Sequence, residues 1–179
     1  MQLLAISGSA RAASTNTALL RALQHIAPAG LAIEVFHDLA ALPVFSPDLE
    51  GALTPAPVLA LVQQVQAADG LLISSPEYVR ALPGGLKNAI DWLVSREEII
   101  QKPVALVHAS HRGDDMLADL RRVLSTVTAQ FNSDLFLRLP LMKESAASVL
   151  QIVSGAEVYP EAQQFLQDFA TFCGCARTA

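Results

Sequence analysis

The chain is predicted to fold as an α/β protein: a parallel sheet of five strands with helices on both faces. Three observations predict it. Short apolar runs of strand length alternate with segments whose apolar residues recur at helical spacing, and no internal repeat interrupts the alternation. Hydrophobic residues make up 52% of the chain and charged residues only 16%, as expected when a sheet is covered on both sides. The 179 residues suit one domain, so 1–179 is read as a single unit.

The elements follow in order. Strands are expected near 2–7, 31–36, 70–74, 103–109 and 133–138, and helices near 15–27, 55–67, 84–96, 114–129 and 157–173. Right-handed crossovers would join successive parallel strands. Ser14 or Thr15 is a natural N-cap for the first helix. Thr54 followed by Pro55 marks the second helix start, because a first-turn position needs no N–H. Leu86, Ile90 and Leu93 share one face of the third helix, on which Lys87 and Asp91 stand four apart and can pair. Residues 38–51 are apolar and proline-bearing without periodicity, and 140–156 read as a loop with a short helical turn.

The turn Gly8-Ser-Ala-Arg-Ala-Ala-Ser-Thr-Asn16 joins the first strand to the first helix. Unpaired N–H groups and the helix dipole favour an anion there. Its side chains are also suited to a terminal phosphate: Ser9, Ser14, Thr15 and Thr17 offer hydroxyls, Asn16 an amide, and Arg11 a guanidinium fork. A pyrophosphate or triphosphate loop is excluded because neither Gly-x-Gly-x-x-Gly nor Gly-Lys-Ser/Thr is present. A cysteine phosphatase is excluded because both cysteines, Cys173 and Cys175, lie near the C-terminus. By itself the turn reads equally well as a Ser/Thr-rich helix cap. A second segment, Ser75-Pro-Glu-Tyr-Val-Arg-Ala-Leu-Pro-Gly-Gly-Leu-Lys-Asn-Ala-Ile-Asp-Trp92, follows the third strand as a rigid loop bracketed by Pro76 and Pro83 and then a helix.

These two motifs, in this order on alternating strands and helices, resemble the NADPH-dependent FMN reductase family of the flavodoxin-like superfamily. The resemblance rests on Gly8-Ser9-x-Arg11-x-x-Ser14-x-Asn16 and on Ser75-Pro-Glu-Tyr78 with Pro83-Gly84 and Leu86-Lys-Asn-Ala-Ile-Asp-Trp92, and it covers nearly the whole chain. It implies a flavodoxin-like three-layer sandwich with strand order 2-1-3-4-5, whose ligand lies outside the carboxyl ends of the strands where the order reverses. It implies FMN as cofactor, with Ser9, Arg11, Ser14, Thr15, Asn16 and Thr17 at the phosphate and ribityl chain. Pro76, Glu77, Tyr78 and Val79, with Ser110, His111 and Gly113 of the third loop, would border the ring. Reduced nicotinamide, as NADPH or NADH, would pass a hydride to flavin N5. A quinone, azo dye, free flavin or metal oxyanion would then take the electrons, so that the cofactor carries the chemistry and no catalytic side chain is expected.

Three departures accompany the match. Val79 and Arg80 stand where Asn-Gly is common, the third loop has only Gly113 in place of a Gly-Gly segment, and His111 and Arg112 replace small residues. A flavodoxin-like binding or regulatory protein with weakened flavin binding therefore remains the alternative reading. Arg80 reads either as a surface arginine or as a cation at the pocket mouth. His108 and His111 lack the companions of a metal site, and Cys173 and Cys175 read as thiols on a terminal helix.

A net charge of −5 gives no reason to expect nucleic acid. No apolar stretch is long enough for a membrane span, and the first residues lack a basic leader, so a cytoplasmic location is expected. The resemblance further implies a homodimer or tetramer formed through the 38–51 loop and the helix carrying Trp92.

Overall fold

A computed structural model describes residues 1–176. Five strands, β1 (Gln2–Ser7), β2 (Ala32–Phe36), β3 (Gly70–Ser74), β4 (Val104–His108) and β5 (Phe131–Arg138), form one parallel sheet in the order β2-β1-β3-β4-β5. The helices are α1 (Thr15–His25), α2 (Ala56–Ala67), α3 (Gly84–Asp91), α4 (Glu97–Ile100), α5 (Asp114–Val127), α6 (Ala146–Ser154) and α7 (Tyr159–Ala176). The flavodoxin-like order expected from the sequence is therefore present.

The three central strands are buried along almost their whole length, and their alternate residues feed opposite cores. Leu3, Ala5, Leu72, Ala105 and Val107 pack against α1, α6 and α7. Leu4, Ile6, Leu71, Ile73 and Leu106 face α2, α3 and α5 on the other side. Sheet and α7 approach closely at Gly70, where an added Cβ would lie 2.4 Å from Cys173 Sγ and 3.0 Å from Phe169 Cζ. Cys173 is thus part of the core, whereas Cys175 is exposed.

Several boundaries differ from the sequence expectation. The third helix ends at Asp91 because the chain tightens into three-residue bonds from Leu93 N–H to Ile90 O and from Val94 N–H to Asp91 O. Pro55 is the N-cap of α2 and not its first helical residue, so the helix begins at Ala56, one residue later than expected. β5 begins at Phe131, and Asn132 Oδ1 accepts from the N–H groups of Asp134 and Leu135 beside a break in register, which hides the strand behind a polar run. Residues 140–156 hold a nine-residue helix in place of a loop with one turn. Ser145 caps it by accepting from Ser148 N–H, and Val149 and Val153 are buried.

The 38–51 segment folds as short 3-10 turns and packs on its own chain. Trp92 Nε1 and Asn88 Nδ2 both donate to Pro43 O, at 2.8 and 2.9 Å, and Phe45 meets Trp92 edge-on. Leu42 and Trp92 are buried within the subunit, while Val44 is 82% exposed. Lys87 and Asp91 form the anticipated pair at 2.5 Å. Among the described residues no helix is long and apolar enough to cross a membrane.

Gly70→Ala is expected to lower the unfolding free energy by about 1–3 kcal/mol through overpacking against Phe169 and Cys173. A denaturant titration that superimposes on that of the parent would contradict this packing account.

Candidate functional site

The loops after β1, β3 and β4 meet above the carboxyl edge of the sheet, where β1 lies between β2 and β3. The first turn leaves β1 under a tight constraint. Gly8 N–H donates to Ser74 O at 2.7 Å, and a Cβ on Gly8 would lie 2.7 Å from Ser75 Oγ and 2.9 Å from Leu86 Cδ2. Only glycine lets the two loops come this close.

The hydroxyls of this turn divide into two groups. Ser14 is the N-cap, its Oγ accepting from Thr17 N–H, and Thr17 Oγ1 is hydrogen-bonded to Ser7 Oγ at 2.7 Å below the loop. Ser74 Oγ donates to Asn16 Oδ1 at 2.9 Å, which leaves the Asn16 amide N–H groups to serve as donors. Ser9 Oγ accepts from Arg11 N–H, and Arg11 itself is exposed. The groups left for a phosphate are therefore the first-turn N–H groups of α1, the Asn16 amide, the Arg11 guanidinium and the hydroxyl protons of Ser9, Ser14 and Thr15, since a hydroxyl that accepts a bond still has its proton to donate. Ser14 and Thr17 hold the turn in shape.

Beside this turn is a slot of about 270 Å³. Thr15 and Asn16 form one wall and Pro76 and Glu77 another, while Ala109, Ser110 and Gly113 close it with Met142. Gly113 has φ 102°, and a Cβ there would meet His108 Nε2 at 2.9 Å. Tyr78, Val79 and His111 are exposed and do not line this slot. His108, Arg112 and Met142 do line it, and none of them was selected as a site residue from the sequence. Met142 lies in the 140–156 segment that reads as a loop with a short helical turn, and His108 reads as part of a strand.

The departure at Val79 and Arg80 has a clear geometry. Tyr78 and Ala81 exchange two backbone hydrogen bonds, at 3.0 and 3.1 Å, around a two-residue turn with φ 53° at Val79 and 61° at Arg80. Such a turn needs positive φ at both centres and favours Asn-Gly. The bulky pair keeps the turn at a cost in strain while pointing away from the slot: Val79 is 99% exposed, and Arg80 Nε donates to Asp115 Oδ2 at 2.6 Å. Arg80 is thus neither simply solvated nor a free cation at the mouth.

Ion pairs and caps join the loops. Glu77 Oε2 accepts from Met116 N–H at 3.1 Å and so caps α5 from the neighbouring loop. Arg138, at the end of β5, donates to Ser110 O at 2.8 Å and pairs with Asp114 at 2.7 Å. His108 Nε2 lies 2.5 Å from Arg112 O, so Nε2 carries the proton. Nδ1 is buried with no hydrogen-bond partner in reach among the described residues. Burial is the main force driving the His108 pKa below its ordinary 6.5, Arg138 adds to it, and the Arg112 and Ser75 carbonyls and Asp114 oppose it. The ring is neutral at neutral pH. Among the described residues no cluster of three His, Cys, Asp or Glu side chains could hold a metal ion.

Comparison with known proteins identifies this arrangement. The model of the NADPH-dependent FMN reductase family matches residues 1–138. The chain belongs to that family. A quinone reductase of Escherichia coli K12 is 40% identical over 118 residues, 63% of this chain and 61% of its own length. An NAD(P)H-dependent FMN reductase of Pseudomonas aeruginosa is 38% identical over 112 residues, covering 62% of this chain and 60% of the relative. These matches span under two thirds of the relatives' own length. The flavoenzyme NAD(P)H:(acceptor) oxidoreductase FerB from Paracoccus denitrificans superposes with a TM-score of 0.78 at 26% identity, covering 98% of both chains. The apo form of an NADH:FMN oxidoreductase, at 23% identity and a TM-score of 0.65, shares the fold. The turn between β1 and α1 and the slot adjoin, with Thr15 and Asn16 as their border.

Two outcomes follow from this geometry. Val79→Asn should raise the unfolding free energy by about 1 kcal/mol, since it relieves a β-branched residue from the left-handed region; a lower melting temperature would refute the strain. For His108, whose folded pKa is depressed, the stability contribution is complete above 6.5 and is lost as pH falls from there toward the folded value. His108→Gln should therefore flatten the decline of stability below about pH 6.5, and equal slopes in parent and variant would exclude this role.

Proposed function

We propose that the chain is an NAD(P)H-dependent, FMN-containing oxidoreductase that delivers electrons to a small-molecule acceptor of the quinone class. The observation that carries this reading is the junction of an anion-binding turn with a slot for a planar ring, both reached from Thr15 and Asn16. Bound FMN would supply the hydride acceptance and electron return. Arg11, the Asn16 amide and the α1 N–H groups would hold its phosphate, while Pro76, Glu77, Ser110 and Gly113 would border its ring. His108, neutral and fixed by Arg112 O, would hold the third loop in place without adding a charge beneath the ring.

The acceptor class is taken from the name of the Escherichia coli relative, and free flavins, azo dyes and metal oxyanions share the same demand for an open ring face. The same reading includes a cytoplasmic location and a homodimer or tetramer. Exposed Val44 and Leu53, 82% and 67% accessible, are the apolar groups on the 38–53 segment that a second subunit would cover.

The test is the visible absorption of protein loaded with FMN and freed of excess, followed by anaerobic NADPH or NADH. A bound flavin spectrum that bleaches is expected. Arg11→Ala should weaken FMN binding by about 1.5–3 kcal/mol, the worth of a charge-assisted contact, without loss of fold. No retained flavin would favour a flavodoxin-like binding or regulatory protein instead.

A further inference from the structure

Of the four histidines, His25, His37 and His111 are exposed, and His108 alone is buried, with 2% of its surface accessible. It ends β4 and borders the ring slot. Two contacts fix the imidazole there. Nε2–H donates to Arg112 O at 2.5 Å, and the Gly113 backbone lies so close that an added Cβ would meet Nε2 at 2.9 Å and Cε1 at 3.1 Å. Gly113, the single glycine of the third loop, lets that loop close over the imidazole. The other nitrogen, Nδ1, is buried with an unused lone pair and no hydrogen-bond partner among the described residues. Native structures keep few buried polar atoms in that state, and those they keep call for an explanation.

The charges that face His108 are paired or already engaged. Arg138, at the end of β5, pairs with Asp114 at the start of α5. Glu77, from the loop after β3, gives Oε2 to Met116 N–H, and Arg80 of the same loop pairs with Asp115. Arg112, in the third loop, is exposed. The carbonyls of Arg112 and Ser75 and the Asp114 carboxylate favour a protonated imidazole, while burial and Arg138 disfavour it. Histidine is also the side chain at this wall whose charge ordinarily changes between pH 5 and 8.

Hydride transfer alters the charge beside this wall. A hydride brings two electrons and one proton, so a ring that accepts it gains one negative charge inside a slot of about 270 Å³. An opposite charge within about 4–6 Å favours the ionised form of a side chain and changes its proton affinity by about tenfold to a thousandfold. We propose that His108 is the redox-linked proton site of this chain: neutral beside the oxidised ring, it takes a proton on Nδ1 from solvent when the ring receives a hydride and releases it when the electrons pass to the acceptor. The proposal rests on the oxidoreductase reading above and names the residue that balances its charge. Atoms and electrons balance: one hydride from the reduced nicotinamide and one proton from solvent enter, and a quinone that gains both leaves as the hydroquinone, with His108 neutral again. Nε2 keeps its proton and its bond to Arg112 O in both states, so the imidazole gains charge without giving up its clamp. His108 acts through its charge on the slot wall and forms no bond with the acceptor.

The experiment uses the FMN-loaded protein, oxidised or reduced anaerobically with dithionite, and follows the His108 ring by NMR through a pH titration. The resonances are assigned through the residue's own backbone, so this readout needs no variant. The proton affinity of His108 should rise at least about tenfold on reduction, while those of exposed His25 and His37 change less than about twofold. The midpoint potential of the bound flavin against pH gives a second readout. Above the reduced-state pKa of His108, parent and His108→Gln follow parallel lines. As pH falls below that value, the parent takes one more proton with its two electrons than the variant does. Its potential then climbs about 30 mV per pH unit faster, since a tenfold change in a two-electron equilibrium is about 30 mV. Below the oxidised-state value, which lies under 6.5, His108 is protonated in both states and the lines run parallel again.

Equal proton affinity of His108 in the two redox states would overturn the proposal. So would parent and variant lines that stay parallel at every pH, the result expected of a residue that only packs. Failure of the oxidoreductase reading looks different. Bound flavin that dithionite reduces but neither NADPH nor NADH reduces would remove that reading and leave the His108 comparison decisive, whereas a chain that retains no flavin would overturn both.

Discussion

Burial of the sheet on both faces is the constraint from which the site follows. β1, β3 and β4 have helices above and below, so a polar side chain within them would lose its water without compensation. Polar groups collect at their carboxyl ends: Ser7, Ser74, Ser75 and His108 are all buried there. Ser7 and Ser74 are bonded to the first turn of α1, through Thr17 and Asn16, and so fix the start of that helix over the strand ends. The same condition that keeps the core dry thus places donors and a helix terminus together, where an anion can be held.

Around this anchor the three loops are tied by contacts between segments far apart in sequence. Glu77 caps α5, Arg80 pairs with Asp115, and Arg138 joins Asp114 to the Ser110 carbonyl. The Arg80–Asp115 pair is exposed and adds little to stability by itself. The turn is closed by the two Tyr78–Ala81 hydrogen bonds, and the pair joins it to the start of α5, with Val79 and Arg80 both outside the slot. Val79 and Arg80, which stand where the sequence resemblance expects Asn-Gly, therefore do not fill the hollow beside them.

Local patterns made much of this legible. Apolar runs marked β1, β3 and β4, whose burial leaves no polar face to obscure them, and the order of the strands followed from the resemblance carried by the two motifs. The start of α1 at Ser14 was readable because a cap is a local interaction between neighbours. β5 and α6 were harder for physical reasons. β5 is an edge strand with a polar stretch that breaks its register, and α6 is too short for its two buried valines to establish a period against a polar background.

The sequence by itself determined the parallel α/β architecture, the capped turn between β1 and α1 and the family, because each depends on residues close together in the chain or on a spacing that survives in one dimension. Only the tertiary structure decided which side chains face the hollows. It turned Thr17 toward Ser7, made Glu77 a helix cap, left Tyr78, Val79 and His111 off the slot wall, and brought His108 and Met142 onto it. Those assignments depend on how α1, α6 and the strand ends pack, and a contact between distant segments has no signature in the spacing of either one.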